Sequence, residues 1–329
     1  MTQLVELRNA RQKFEDAKIK LYAISYDDSE ALKAFSEEYE INFPLLSDVD
    51  SAVIKNFGIL NDQIKPGDAM LHGIPFPGSY VLDETGTVLA KFFHQSYKMR
   101  TSPEMLIDAA LGVVLLGDTE PSVQGEHQNI KVTATLHGGA IKQGALREIV
   151  IRFELPPGLH IYDEPVPAGM VATEITIKGP KGLMIENAIK PPTQTLNLKA
   201  LDLKLNVWSG IVDIRIPIWA NSILASECRA LELHSADLDI RVNFQACDDE
   251  TCLLPQQMNF SLNVPIEEMH VQNLDFHVGH EQRESSLDGR PHLKRMVWRK
   301  IKESPIGFGR FILKSLVLEL AAKLRRLFN

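Results

Sequence analysis

The sequence predicts an α/β domain, then an all-β antiparallel sandwich, then a basic amphipathic helix. Three observations carry this. From residue 3 to about 113, helical and strand periodicities alternate. From about 130 to 264, short period-2 runs recur between clusters of Gly, Pro, Asn and Asp, with no convincing helical pattern. From Phe308 to Phe328, Leu313, Leu316, Val317, Leu320, Leu324 and Leu327 share one helical face, and Lys314, Lys323, Arg325 and Arg326 lie off it. A chain of 329 residues has room for two domains.

In the first part, residues 3–16 place Leu4, Leu7, Ala10 and Phe14 at helical spacing, with no capping stretch before them. Ile19 to Tyr26 reads as a strand. Asp27-Asp28-Ser29-Glu30 starts a second helix, which carries Leu32, Phe35 and Tyr39 on one face. Phe43-Pro-Leu-Leu46 is a short extended piece, and Asp48 or Asp50 caps a helix through Phe57. Strands at about 79–83 and 87–94 flank a Glu84-Thr85-Gly86 turn, and a helix covers about 102–113.

This order resembles the thioredoxin fold, and more narrowly the redoxin branch, the AhpC/TSA-type peroxiredoxins. Tyr22-Ala-Ile-Ser-Tyr-Asp27, Phe43-Pro-Leu-Leu-Ser-Asp48, Phe57-Gly-Ile59 and Phe76-Pro-Gly-Ser-Tyr-Val-Leu-Asp83 carry the resemblance. It implies that Pro77 matches the family's cis-proline, which faces the reactive cysteine, so the Phe76–Pro77 bond is expected to be cis. It also implies a departure. Gln3 to Leu7 matches the helix directly after the reactive-cysteine motif, and no cysteine precedes Cys228. A peroxidase of this type needs a thiolate, so cysteine peroxidase activity is not expected from this chain. The thioredoxin-like domain is therefore read as incomplete, with an apolar sheet edge left exposed. Either the chain starts late or the domain is degenerate.

Residues 116–127 hold Gly, Pro and polar residues without periodicity and read as a linker between a domain at 1–115 and a sandwich at 128–266. The sandwich strands alternate at 130–136, 148–154, 173–177, 210–216, 238–244 and 258–264. Residues 267–329 read as a polar linker followed by the basic helix.

The chemistry lies in Cys247-Asp-Asp-Glu-Thr-Cys252. The loop follows the strand Val242–Ala246, and Pro255 interrupts regular pairing after it. Two thiols held this close can close into a disulfide and reopen by exchange. A structural disulfide, or two idle thiols, is the other reading. Zinc needs four ligands, and no second Cys or His pair stands at ligand spacing, so no metal or other cofactor is expected. Asp248, Asp249 and Glu250 should raise the cysteine pKa values. Cys228 reads as a buried or idle thiol.

Phe244-Gln-Ala-Cys-Asp-Asp-Glu-Thr-Cys-Leu-Leu-Pro255 resembles the active-site hairpin of the N-terminal domain of the thiol:disulfide interchange protein DsbD, an immunoglobulin-like domain. Pro157-Gly-Leu-His-Ile-Tyr162 and Pro180-Lys-Gly-Leu183 add to the match. The resemblance implies that Cys252 takes the mixed disulfide and Cys247 resolves it, with His160 and Tyr162 as neighbours. It implies thioredoxin-like or membrane-reductase partners joined by mixed disulfide. The family's aromatic cap sequence is missing from about 193–209, where Trp208 is either a substitute shield or a core aromatic.

The expected function is thus a thiol–disulfide oxidoreductase relay through Cys247 and Cys252, attached to a redoxin-like domain. The competing reading is a non-enzymatic interaction module with a structural disulfide. A net charge of −8 excludes a general nucleic-acid binder. That charge is uneven: His292 to Asn329 holds ten Lys/Arg against two Glu, a local +8. The residues 308–328 can therefore dock on the chain itself, pair with a partner helix, or lie on an anionic membrane. No run of about 18 apolar residues predicts a span. With no signal segment at the start, the chain reads as cytoplasmic; the sandwich resemblance points to the periplasm if the chain begins late.

Overall fold

The computed structural model describes residues 2–64, 72–94, 99–198, 203–221, 223–225, 233–248, 251–267, 290–303, 305–310, 312–313 and 315–317. It is a mixed α/β chain with many strands and few helices, divided into two compact units. One is Met1–Ser79 with Glu284–Asn329, the other Tyr80–Arg283.

The first unit opens with α1 (Thr2–Asn9) and α2 (Arg11–Asp16), where periodicity predicts one helix. The ladder breaks at Ala10, whose ψ of 4° leaves the helical region. The strand expected over 19–26 shrinks to β1 (Ala23–Ser25), because Lys18 is left-handed (φ 58°) and the Ile19 N–H still bonds back to Phe14 O at 2.8 Å. Asp28 caps α3 (Ser29–Glu38), accepting from the Ala31 N–H at 2.8 Å. β2 (Leu45–Ser47) runs parallel to β1. Asp48 accepts the N–H groups of Val53 and Ile54 at the start of α4 (Ala52–Asn56), as a capping aspartate should. Leu7, Ala10, Phe14, Tyr39, Ile41, Phe43 and Ile54 are buried, while Tyr22, Ile24 and Leu46 on and beside the two strands are exposed.

The Phe76–Pro77 bond is not cis; among the described residues the cis bond is Glu164–Pro165. The approach to Pro77 is already extended: Phe76 N–H bonds to Ile59 O and Asn61 N–H to Ile74 O, around a bridge between Leu60 and Pro75. An extended run feeds the next strand with ordinary trans bonds.

β3 (Gly78–Leu82) and β4 (Val88–Phe93) form the expected hairpin. Its turn is held by Asp83, which accepts from the N–H groups of Thr85 and Thr87, and by Gly86 at φ +85°. After β5 (Arg100–Thr101), α5 (Pro103–Leu111) starts at the Ser102 cap and ends at left-handed Gly112.

The sandwich strands follow. They are β6 (Ser122–His127), β7 (Ile130–His137), β8 (Ala145–Glu154), β9 (His160–Tyr162), β10 (Glu174–Lys178), β11 (Leu183–Ile185), β12 (Gln194–Leu198), β13 (Leu203–Ser209), β14 (Ile211–Ala220), β15 (Ser235–Phe244), β16 (Ala246–Cys247) and β17 (Gln256–Pro265). Half of the stretch read as a connector over 116–127 is strand β6, paired antiparallel with β7; a glycine at inner position 125, against Met258 and Phe260, leaves Val123 as the one apolar side chain to mark the alternation. One sheet runs β11-β14-β8-β7-β6, with β5 joining β8. A second runs β10-β15-β17. Their inner residues share one core, Val132, Ala134, Leu136, Ile149, Ile151 and Phe153 with Leu238, Ile240, Val242 and Phe244. Phe153 meets Phe244 edge-to-face at 5.4 Å between centroids. A third sheet runs β12-β13-β9-β16 and has its own small core.

Residues 290–303, left without an assignment by periodicity, form α6 (Arg290–Glu303) in the first unit. Leu293, Met296, Val297 and Ile301 stand at helical spacing there, a stripe diluted by the Lys and Arg between them. Of the amphipathic helix expected at 308–328, the described pieces 308–310, 312–313 and 315–317 are helical; the remainder, like Cys228, lies outside the described residues.

Candidate functional site

The two sulfurs meet because one long strand changes sheets. β15 ends at Phe244 in the second sheet, and two residues later β16 pairs with β9 in the third. Gln245 is the crossing point, and residues 244–247 are all buried, where a two-sided strand would alternate. The Gln245 side chain fills that crossing with hydrogen bonds. Its Oε1 accepts from Val171 N–H at 2.9 Å, and its Nε2 donates to Leu253 O at 3.0 Å.

The chain then folds back on itself. Leu253 N–H donates to Ala246 O at 2.9 Å, and Asp248 N–H donates to Thr251 O at 2.9 Å. Those bonds flank Cys247 and Cys252, which makes them a non-hydrogen-bonded antiparallel pair, the register in which opposing side chains come closest. The Asp248 carboxylate closes the turn, accepting from Thr251 N–H at 2.6 Å. Cys247 and Cys252 are disulfide-bonded, with S–S 2.11 Å and Cα–Cα 4.0 Å.

The two halves of this disulfide differ in surroundings. Cys247 is 1% exposed, packed with Tyr162, Leu205 and Val207, with Val166, Met170 and Leu196 against them. Cys252 is exposed, and Leu254 just beyond it is 78% exposed. Cys247 stands opposite His160 in the β9–β16 register. His160 and Tyr162, two residues apart on one strand, share a face and a 2.9 Å hydrogen bond between Nε2 and Oη. Both are buried, and burial raises the Tyr162 pKa above its ordinary value.

Of the residues singled out from sequence, Cys247, Cys252, His160 and Tyr162 come together here. Pro77 belongs to the other unit. Trp208 is a core aromatic, 4% exposed in the main cluster, with Nε1 donating to Pro191 O at 3.0 Å. Asp249 and Glu250 lie outside the described residues. Sequence reasoning missed Gln245 and the Val166–Met170 segment. Gln245 continues the polar positions Asp239, Arg241 and Asn243 of the alternating strand, so neither carried a signal in the sequence. Among the described residues, no group of three or more His, Cys, Asp or Glu is arranged to hold a metal ion.

Comparison with known proteins finds two separate matches along the chain. Residues 1–91 match the AhpC/TSA family, and residues 125–264 match the N-terminal domain of thiol:disulfide interchange protein DsbD. The chloroplastic peroxiredoxin Q of Arabidopsis thaliana is 34% identical over 109 residues, 33% of this chain and 45% of that one. The chain spans about half the length of the curated relatives it matches. The N-terminal periplasmic domain of ScsB from Proteus mirabilis is similar at TM-score 0.31 and 14% identity, covering 54% of this chain and 59% of that one. The reduced N-terminal domain of DsbD from Neisseria meningitidis gives TM-score 0.26 and 12% identity, covering 41% and 90%. Two stretches of one sequence therefore match two thiol-redox families, and the disulfide lies within the second stretch.

Proposed function

We propose that this chain is a thiol–disulfide electron relay working through Cys247 and Cys252. Its incomplete thioredoxin-like redoxin domain would be coupled to an immunoglobulin-like DsbD-type sandwich. The observation that carries this reading is the asymmetry of the disulfide, one cysteine exposed and the other sealed in an apolar pocket.

An incoming thiolate reaches Cys252 and not Cys247. It attacks the Cys252 sulfur, a new S–S bond forms between donor and Cys252, and Cys247 leaves as a thiolate. An apolar pocket disfavours that anion. His160, its cross-strand partner, hands it a proton and is recharged through the Tyr162 hydroxyl and solvent. The donor's second thiolate then attacks the donor's own sulfur, releasing Cys252. Two electrons and two protons have moved, the donor is a disulfide, and the pair is a dithiol. Passing them on reverses the order: Cys252 attacks the acceptor's disulfide and Cys247 resolves the mixed species. The donors and acceptors are thioredoxin-like dithiol proteins or a membrane reductase. No cysteine lies between residues 1 and 227, so residues 1–91 supply no thiolate of their own for peroxide reduction.

Trapping tests the order. With a thioredoxin-like protein in its disulfide form, the Cys252 thiolate of Cys247→Ser should attack that disulfide and accumulate as a mixed disulfide, and Cys252→Ser should not. Redox titration should show the native pair equilibrating with the same buffer. A disulfide that stays closed below about −300 mV is a structural staple of an interaction module, and that result would overturn the relay. Equal trapping by both variants would overturn the assignment of Cys252.

A further inference from the structure

The last described part of the chain keeps cations and large apolar groups in solvent together. α6 uses one side on its own unit. Arg295 pairs with Asp28 at 3.2 Å and with Glu30 at 3.0 Å. Arg299 donates to Tyr26 O at 3.0 Å, and Lys300, 3% exposed, donates to His72 O at 2.6 Å. The side chains left over are of two kinds. Leu293, Trp298, Ile306, Leu313, Leu316 and Val317 are between 52% and 74% exposed. Lys294, Lys302 and Arg310 are exposed among them, and the Lys302 ammonium sits 5.9 Å over the Trp298 ring. A lone exposed leucine needs no explanation. Six large apolar groups within twenty-five residues, interleaved with cations, do.

We infer that the exposed residues of 290–317 form a membrane-surface anchor that binds anionic lipid headgroups. Charge decides between occupants. The stretch His292–Asn329 is +8 on a chain of net charge −8, and the ion pairs to Asp28 and Glu30 use only Arg295. A bilayer with anionic headgroups takes up Lys294, Lys302 and Arg310 and the apolar groups beside them in the same plane. The exposed indole with a lysine beside it is the combination favoured at the headgroup level. The anchor lies on the surface: no helix among the described residues is long and apolar enough to cross a membrane.

The test is co-sedimentation of the full-length protein with phosphatidylcholine vesicles, with and without phosphatidylglycerol. Binding should require phosphatidylglycerol and weaken with salt. Replacing Lys302 and Arg310 together by Gln should weaken it about 30-fold, from the loss of two surface cations. Trp emission should shift to the blue on binding, and Trp298→Phe should lose that shift while still sedimenting. Protein that stays in the supernatant, sediments equally with phosphatidylcholine alone, or binds undiminished as the double variant overturns an anchor that recognises anionic headgroups. Cys247→Ser should bind vesicles as the native chain does, so the anchor and the relay can fail separately.

Discussion

The sheets of the two units enclose their apolar residues to different extents. In the second, Val132, Ile149, Ile151, Phe153 and Phe244 are fully enclosed between two sheets. In the first, β1 and β2 form a sheet of two strands among the described residues, and Tyr22, Ile24, Leu46, Val53 and Phe57 remain exposed. Both stretches match thiol-redox families, yet the disulfide belongs to the enclosed one. A redox pair needs a rigid frame to hold one sulfur in and one out, and a closed sandwich supplies that frame. An open apolar face supplies a surface to be covered.

The sharpest way to break this comparison is to attack the frame. His137 is 2% exposed, between Asp108 on α5 (3.0 Å to Nε2) and Glu120 (3.0 Å to Nδ1). Burial alone would lower its pKa; the hydrogen bonds to Asp108 and Glu120 outweigh it and raise the value to about 10. His137→Ala leaves two buried carboxylates without their cation and should cost about 3–5 kcal/mol in denaturant melts of the second unit. Raised from 6.5, the His137 pKa contributes stability that is complete below about pH 6.5 and is lost as pH rises through about 10. Glu120 is lowered, against its own desolvation, by the bond to His137, so its contribution is present above its unfolded value and fades in acid. Glu148, paired in register with His137 and wholly buried, is raised by desolvation, so its cost sets in above the ordinary carboxylate range and its relief in acid offsets part of the Glu120 loss. The native unit should therefore lose stability on both flanks, and the alkaline loss should shrink in His137→Ala. A flat alkaline limb in the native protein would remove the charged sandwich of His137 from the account.

Next in size is a paired truncation. Phe153→Ala empties a fully buried site facing Phe244 and should cost about 3–5 kcal/mol. Leu46→Ser in the first unit, at 46% exposure, should change stability by no more than about 0.5 kcal/mol and raise solubility. Comparable losses from both would mean that the β1–β2 face is covered in solution.

Much of this was legible in the residues. The alternation of Ile130–Leu136 and Leu238–Phe244 places the core, and the cysteine spacing places the site, because period and spacing are local properties. Three things were not legible. The cis expectation at Pro77 rested on resemblance, and the extended pairing of residues 59–61 with 74–76 overrode it. α6 was passed over because its short stripe of Leu293, Met296, Val297 and Ile301 is diluted by cations, and its contacts run through Arg295, Arg299 and Lys300. β6 hides because its register is fixed by β7 rather than by its own composition. Each miss is a case of tertiary pairing deciding what local pattern left open.

The smallest effect expected is also the most specific to the site. Gln245 holds the cysteine hairpin through Leu253 O and the segment beside the Cys247 pocket through Val171 N–H. Gln245→Ala leaves both backbone groups without that partner and should cost about 1–3 kcal/mol. Because Met170 and Val166 pack against the pocket of Cys247, freeing their segment should also open the buried sulfur, and the disulfide should be reduced faster by a small thiol. Gln245→Glu keeps the acceptor for Val171 N–H and loses only the donor to Leu253 O. It should therefore restore most of the slow reduction while leaving part of the stability loss. If Glu and Ala variants were reduced at the same rate, protection of Cys247 would rest on the hairpin bond alone, and the segment at 163–171 would have no part in guarding the disulfide.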